Sequence, residues 1–398
     1  MNNIKKVTED IYWIGGSDRR LERFENIFPI PEGVSYNSYF IDDEKKAVFD
    51  TADITVSDQY LENLKEALAG GKLDYLVVLH MEPDHCSLIS TVVSLFPEVT
   101  VVGSAKTFTI MEQFFPEAAS FNKLEVKEGD TLSTGRHTFR FIAAPMVHWP
   151  EVLMAYDDVS KGLFAADAFG TFGALDGGIF ADEYDYEKDF LESSRRYYAN
   201  IVGKYGMQVQ AVLKKAAGLD IQMILSLHGP VWRKNIKWLL DKYEKWSTYQ
   251  PEEDSIFLVY GSLYGHTKSA AEVVASKLRE KTNKNIKVYD VSGTDVSYLI
   301  SEVWRCSKVV IMCPTYNNGI YPPMESFLND MIALGVQNRT FALAQNGTWA
   351  PASGKLMTEK LQNLKNVTIL ENMMTIKSAL HSSDEDAVEA FAEAIVKA

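Results

Sequence analysis

A strand–helix rhythm over the C-terminal part of this 398-residue chain constrains its fold more than any other feature. Apolar, β-branched and aromatic runs at 255–260, 286–291, 308–313, 340–344 and 367–374 predict buried strands. Helical patterns follow each of them, at about 267–281, 296–305, 324–333, 353–364 and 385–396. Five such alternations imply an α/β doubly wound parallel sheet, whose ligand site lies at the carboxyl ends of the strands.

Upstream the rhythm is lost. Strand-like segments at 11–14, 38–41 and 47–49 precede a helix over 57–69 and an apolar strand over 73–79, and helices and strands continue in mixed order to His228. That order predicts an α+β or αββα layered domain. A helix over 235–246, then Ser247 to Asp254 with one proline followed by three acids, reads as a linker. Two domains are therefore expected, 1–250 and 254–398.

The 40 Lys and Arg residues against 54 Asp and Glu leave a formal charge of −14. That balance argues against nucleic acid as a partner, because phosphate contacts need a basic face. Apolar stretches fall short of membrane-spanning length, and residues 1–6 lack the apolar run of a signal peptide. A soluble protein of a reducing compartment, the cytoplasm, is expected, with no membrane partner. The three cysteines, Cys86, Cys306 and Cys313, form no C-x-x-C pair, so the sequence contains no rubredoxin, zinc-ribbon or Fe–S module.

The densest chemistry is His80-Met81-Glu82-Pro83-Asp84-His85, directly after the apolar run 73–79. A loop at a strand end can turn such side chains toward one point, where an extended strand would alternate them. His148, Asp167 and His228 also appear where an apolar stretch runs out. A lone histidine after a strand is ordinarily a hydrogen-bonded loop residue, but four strand ends carrying ligand-type residues point to a metal site. Imidazoles and carboxylates suit Zn, Fe and Mn alike. His137 and His381 lie in polar surroundings and are expected at the surface.

The spacing resembles the metallo-β-lactamase superfamily motif H-x-H-x-D-H followed by a later His, Asp and His. Here Glu82 stands where the second histidine is usual, a harder and negatively charged ligand that favours iron. Seven side chains exceed the needs of one ion, and an aspartate such as Asp167 can bridge two.

The second domain opens with Gly261-Ser262-Leu263-Tyr264-Gly265-His266-Thr267 between its first strand and first helix. Two hydroxyls, a glycine and a helix N-terminus suit an anion. The loop is neither a Walker sequence nor G-x-G-x-x-G, so a phosphate monoester fits better than a dinucleotide. Pro314-Thr315-Tyr316-Asn317-Asn318-Gly319 follows the third strand, and Asn346-Gly347-Thr348-Trp349 the fourth. Tyr316 and Trp349 are placed to flank a flat ring. Together the loops resemble a flavodoxin, with FMN phosphate in the first and the isoalloxazine between the other two. Cys313, at a strand end, reads as a small buried hydrophobe.

A lactamase-like domain with Glu82 at the second ligand position, joined to a flavodoxin-like domain, resembles the flavodiiron proteins over essentially the whole chain. The resemblance implies a non-haem diiron centre, with one iron on His80, Glu82 and His148, the other on Asp84, His85 and His228, and Asp167 bridging. It implies reduction of O2 to water, of NO to N2O, or both, with electrons passing through FMN from a separate rubredoxin-like donor. It also implies a head-to-tail homodimer or a dimer of dimers. A zinc- or manganese-dependent hydrolase with an appended flavodoxin-like module is the main competing reading, and an electron carrier with a structural metal a third.

Overall fold

The computed structural model describes all residues, 1–398. It divides into two compact units, Met1–Tyr198 with Met207–Tyr243, and Ala199–Gly206 with Glu244–Ala398.

In the first unit, strands such as Ala47–Phe49 and Gly162–Phe164 are buried throughout and carry no charge, as strands covered on both faces must be. They assemble into a seven-stranded and a five-stranded sheet. The seven-stranded sheet is antiparallel from Lys5–Lys6 to Ala47–Phe49, then parallel through Tyr75–Val77, Thr100–Gly103 and Lys123–Glu125. The five-stranded sheet runs from Thr131–Ser133 through Thr138–Ala143, Leu153–Asp157 and Gly162–Phe164 to Met223–Leu225, antiparallel except for its last pair. Phe49 of the first sheet stacks on Phe164 of the second at 4.4 Å and meets Phe139 at 4.8 Å. Aromatic pairs of this kind add about 0.5–1.5 kcal/mol beyond their buried area. This is the αββα metallo-β-lactamase-like sandwich.

The second unit is a parallel sheet in which the second strand lies outside the first, followed by the third, fourth and fifth. Its first strand, Glu253–Tyr260, shows how both faces are used. Ile256 and Leu258 pack with Ala270 and Val274 of helix His266–Lys281 and with Phe391 of helix Glu385–Lys397. Phe257, on the opposite face, meets Phe327 of helix Pro322–Ala333 edge-on at 6.2 Å. This is the flavodoxin-like doubly wound sheet.

Three expectations need correction. The strand over 367–374 is two short strands, Thr368–Ile369 and Met374–Ile376, because exposed Glu371 and Asn372 interrupt the apolar run. The stretch after the helix Ile236–Ser247 is less of a linker than its acids suggest. Glu252 is buried and accepts from Trp246 Nε1 at 3.0 Å, while Glu253 and Asp254 already belong to a strand.

His137 is buried, at 1% exposure, and not a surface residue. Its Nδ1 lies 2.8 Å from Asp157 and its Nε2 3.0 Å from Asp10. Burial opposes charge on the ring, but Asp157 and then Asp10 outweigh it and hold its pKa above the ordinary imidazole value. Because the folded pKa is raised, this contribution is complete below the unfolded imidazole pKa and is lost as pH rises through the folded one. His137→Gln is therefore expected to cost about 1–3 kcal/mol in mildly acidic buffer. The gap from the native chain should narrow in alkaline buffer, as read by urea unfolding.

Candidate metal centre and cofactor cavity

The strand Tyr75–Val77 ends in a segment that the sequence turns sharply. Pro83 forces Glu82 into an extended conformation and then starts the single helical turn Pro83–Cys86. Glu82 and Asp84 consequently leave the chain in different directions. Asp50, fully buried, accepts from the amides of Leu79 and His80 at 2.8 and 3.2 Å, and Thr51 donates twice to the carbonyl of His85. The second sheet joins this edge through the Leu153 amide, which donates to Leu79 at 3.0 Å.

All seven expected residues meet there, in two groups. His80, Glu82, His148 and Asp167 form one, and Asp84, His85 and His228 the other. In the first group His80 Nε2 and His148 Nε2 lie 3.2 and 3.0 Å from Glu82 Oε2. The same nitrogens lie 3.5 and 3.2 Å from Asp167 Oδ2. In the second group His85 Nε2 and His228 Nε2 face each other at 3.1 Å. Asp84 Oδ2 is 3.4 and 3.2 Å from these two nitrogens, and Asp167 Oδ1 lies 3.0 Å from His85. Asp167 thus turns one oxygen to each group.

The arrangement fits metal cations. Both oxygens of Asp84 and Oδ1 of Asp167 are buried without a hydrogen-bond partner, an expensive state for a carboxylate unless a cation compensates. His228 donates from Nδ1 to the Ser35 carbonyl at 2.8 Å, which leaves the Nε2 lone pair facing the group. Burial opposes charge on His85 and His148, yet the surrounding carboxylates push both up to about 9. Burial alone would raise Asp167, but the histidines hold it well below the usual carboxylate range. The two groups thus offer nitrogen and oxygen donors and no thiolate.

Several neighbouring groups escaped the sequence reading. Tyr197 is fully buried, and its hydroxyl has no hydrogen-bond partner. Burial first, and then the charges of Asp167, Glu82 and Asp84, hold that phenol well above its ordinary pKa. Its ring lies 5.5 Å from that of His228, and Phe24 closes on the same imidazole edge-on at 5.4 Å. Glu25 is exposed overall, but its carboxyl turns toward Glu82, and partial burial with that charge pushes it up to about 8. The tyrosine ends the short helix Leu191–Tyr197, whose other residues are mostly serine, arginine and glutamate, so no local signal marks it.

The three loops of the second unit surround a cavity of about 510 Å³. Of the residues expected there, all line it except Gly265 and Gly319, and Ala350 and Ser378 are added. Gly265 instead supplies the turn. Its φ of +93° caps helix His266–Lys281 from the left-handed region that glycine adopts readily. Ser262 Oγ accepts from the amides of Gly265 and Lys268 at 3.1 and 3.3 Å. Asn346 ties the third loop to the first by donating to Thr267 Oγ1 at 3.1 Å. Tyr264 and Trp349 project into solvent at the rim, 90% and 87% exposed. A helix N-terminus, two hydroxyls and an aromatic rim fit a phosphorylated flat ring. Cys313 is buried, and burial pushes its thiol up to about 12.

A buried His/Asp/Glu centre on a lactamase-like sandwich, joined to a flavodoxin, defines a class of two-domain metallo-flavoproteins. Family models agree: that of the ODP family beta lactamase matches residues 34–229, and that of flavodoxin matches 258–391. The anaerobic nitric oxide reductase flavorubredoxin of Escherichia coli O1:K1 / APEC is 29% identical over 391 residues, covering 96% of this chain and 79% of that protein. The structure of rubredoxin oxygen:oxidoreductase from Desulfovibrio gigas superimposes with a TM-score of 0.92 at 25% identity, covering 99% of this chain and 98% of that one. The flavodiiron protein of Giardia intestinalis gives 0.90 at 25% identity, with 99% and 97% covered. The chain belongs to the flavodiiron family.

Proposed function

We propose that this protein is an oxidoreductase that reduces O2 to water, NO to N2O, or both. The observation that carries the reading is the pairing, in one chain, of a two-group carboxylate–histidine centre with a flavin-sized cavity. A hydrolase has no use for an electron store. Two irons and FMN supply, when bound, the two one-electron and one two-electron couples that O2 reduction requires, or the pair that joining two NO requires.

The seven residues His80, Glu82, Asp84, His85, His148, Asp167 and His228 would hold the irons, with Asp167 between them. Those lining the second-unit cavity would hold FMN, its phosphate on the loop from Ser262 to Thr267. Phe24 and Tyr197 keep bulk water from the His228 side of the centre and suit a small, weakly polar diatomic molecule. The Tyr197 hydroxyl, lacking any other partner, is placed to donate to a substrate oxygen as charge builds there. Tyr197→Phe keeps the ring packing, so it is expected to retain iron and FMN while turnover falls about 10-fold.

The electron donor is of the rubredoxin type, a reading supported by the names of the related flavorubredoxin and rubredoxin oxygen:oxidoreductase. A head-to-tail homodimer, or a dimer of two, would cover Tyr264 and Trp349 and bring flavin and irons of different chains together. No helix is long and apolar enough to cross a membrane, in keeping with a cytoplasmic site of action.

The test is metal analysis with anaerobic stopped-flow. The reduced protein should contain iron, and its FMN should be reoxidised rapidly by O2, by NO with N2O as product, or by both. Zinc or manganese in the purified protein, together with slow flavin reoxidation by either gas, would sink the proposal in favour of a hydrolase.

A further inference from the structure

The histidines of the two groups differ in what stands behind them. His80 Nδ1 lies 2.8 Å from Glu151 Oε1, and the Met81 amide donates to the same oxygen at 2.9 Å. An oxygen that accepts from the amide is an acceptor for the ring as well, so His80 carries its proton on Nδ1. Its Nε2 lone pair is left facing Glu82 and Asp167. Behind His228 stands only a neutral carbonyl, that of Ser35. His85 Nδ1 has no partner at all.

Glu151 is itself an unusual place for a charge. Its side chain is fully buried, and its second oxygen, Oε2, has no hydrogen-bond partner. A carboxylate in that position is costly unless a cation lies close enough to compensate it, and the ring it touches is the imidazole of His80. A cation on the far nitrogen of that ring would draw the Nδ1 proton toward Glu151 and let the buried charge be shared. A carboxylate behind a ligating histidine fixes its tautomer and raises its basicity, whereas a carbonyl does so less.

We propose that Glu151 is a positioning residue for His80 and makes the two metal positions unequal, the one beside His80 holding its ion more tightly. The inference rests on reading the seven residues as a two-metal centre. Glu151 reaches the centre from just beyond His148, whose own ring closes the same group. The His148-Trp149-Pro150-Glu151 turn therefore supplies one ligand and the support of another.

The test uses the full-length, FMN-loaded protein stripped of metal, titrated anaerobically with Fe(II) against a competing chelator. The native chain should take up two equivalents in two phases of different affinity. Glu151→Gln keeps the acceptor for the Met81 amide and removes the charge. It should weaken the tighter phase about 10–100-fold, leave the weaker phase and FMN content unchanged, and shift one of the two iron potentials to a more positive value. Wild-type phases and potentials in Glu151→Gln would overturn the proposal, and so would equal weakening of both phases, the signature of a general structural role. Uptake of fewer than two equivalents by the native chain would instead refute the two-metal reading on which the proposal stands.

Discussion

Asp167→Ala is expected to purify without a complete metal complement, to retain FMN, and to lose at least about 100-fold in turnover with O2 or NO. The magnitude is a lower bound, since replacing a residue that merely supports a ligand already costs about 10–100-fold. The geometry explains why this position should exceed the others. Asp167 is 1% exposed, and its two oxygens divide between the groups, Oδ2 toward His80 and His148, Oδ1 toward His85 and His228. Its removal takes one anion away from both metal positions at once. Glu82→Ala removes an anion from the first group alone, so that variant should keep more of its metal. Iron per chain by elemental analysis, FMN by absorbance and far-UV circular dichroism separate the outcomes. Full iron occupancy in Asp167→Ala would show that the groups bind metals independently of the bridging carboxylate.

The convergence of the metal residues was legible in the sequence because each follows an apolar stretch, and stretches buried in adjoining sheets end at a common edge. The linear order could also be followed in the second unit, where the helix over 296–305 corresponds to Val296–Arg305, although the strand over 308–313 extends to Cys306–Tyr316. What could not be read depends on approach between distant residues. Glu151 is 71 positions from His80, and nothing near it in the chain marks it as more than a turn residue. His137 was misplaced for the same reason. Arg136 and Thr134 make its neighbourhood look solvated, whereas its partner Asp157 arrives from the paired strand, opposite Phe139. Tyr197 is a similar case, a buried hydroxyl at the end of a helix whose serines and arginines look solvated. Sequence pattern thus reveals where a chain can place ligands, while the groups that orient and tune them emerge only from tertiary contact.

The flavin site should respond in the opposite sense to the metal centre, because each is built from residues of its own unit. The metal residues all lie within Met1–Tyr198 and Met207–Tyr243, and the cavity residues all lie within Glu244–Ala398. Ser262→Ala combined with Thr267→Ala is expected to weaken FMN binding at least about 100-fold, because each hydroxyl bond to a phosphate contributes about 1.5–3 kcal/mol. Iron content should be unchanged. Both hydroxyls also serve the loops, Ser262 through the amides of Gly265 and Lys268 and Thr267 through Asn346, so a collapsed turn could mimic the effect. Riboflavin separates these possibilities. It presents the same ring without the phosphate, so its affinity should hardly change in the double variant if the loop from Ser262 to Thr267 binds phosphate. Fluorescence titration with both flavins would then show the preference for FMN over riboflavin falling by the same factor as FMN affinity itself. Equal weakening of the two flavins would mean that these hydroxyls shape the cavity and that the phosphate lies elsewhere.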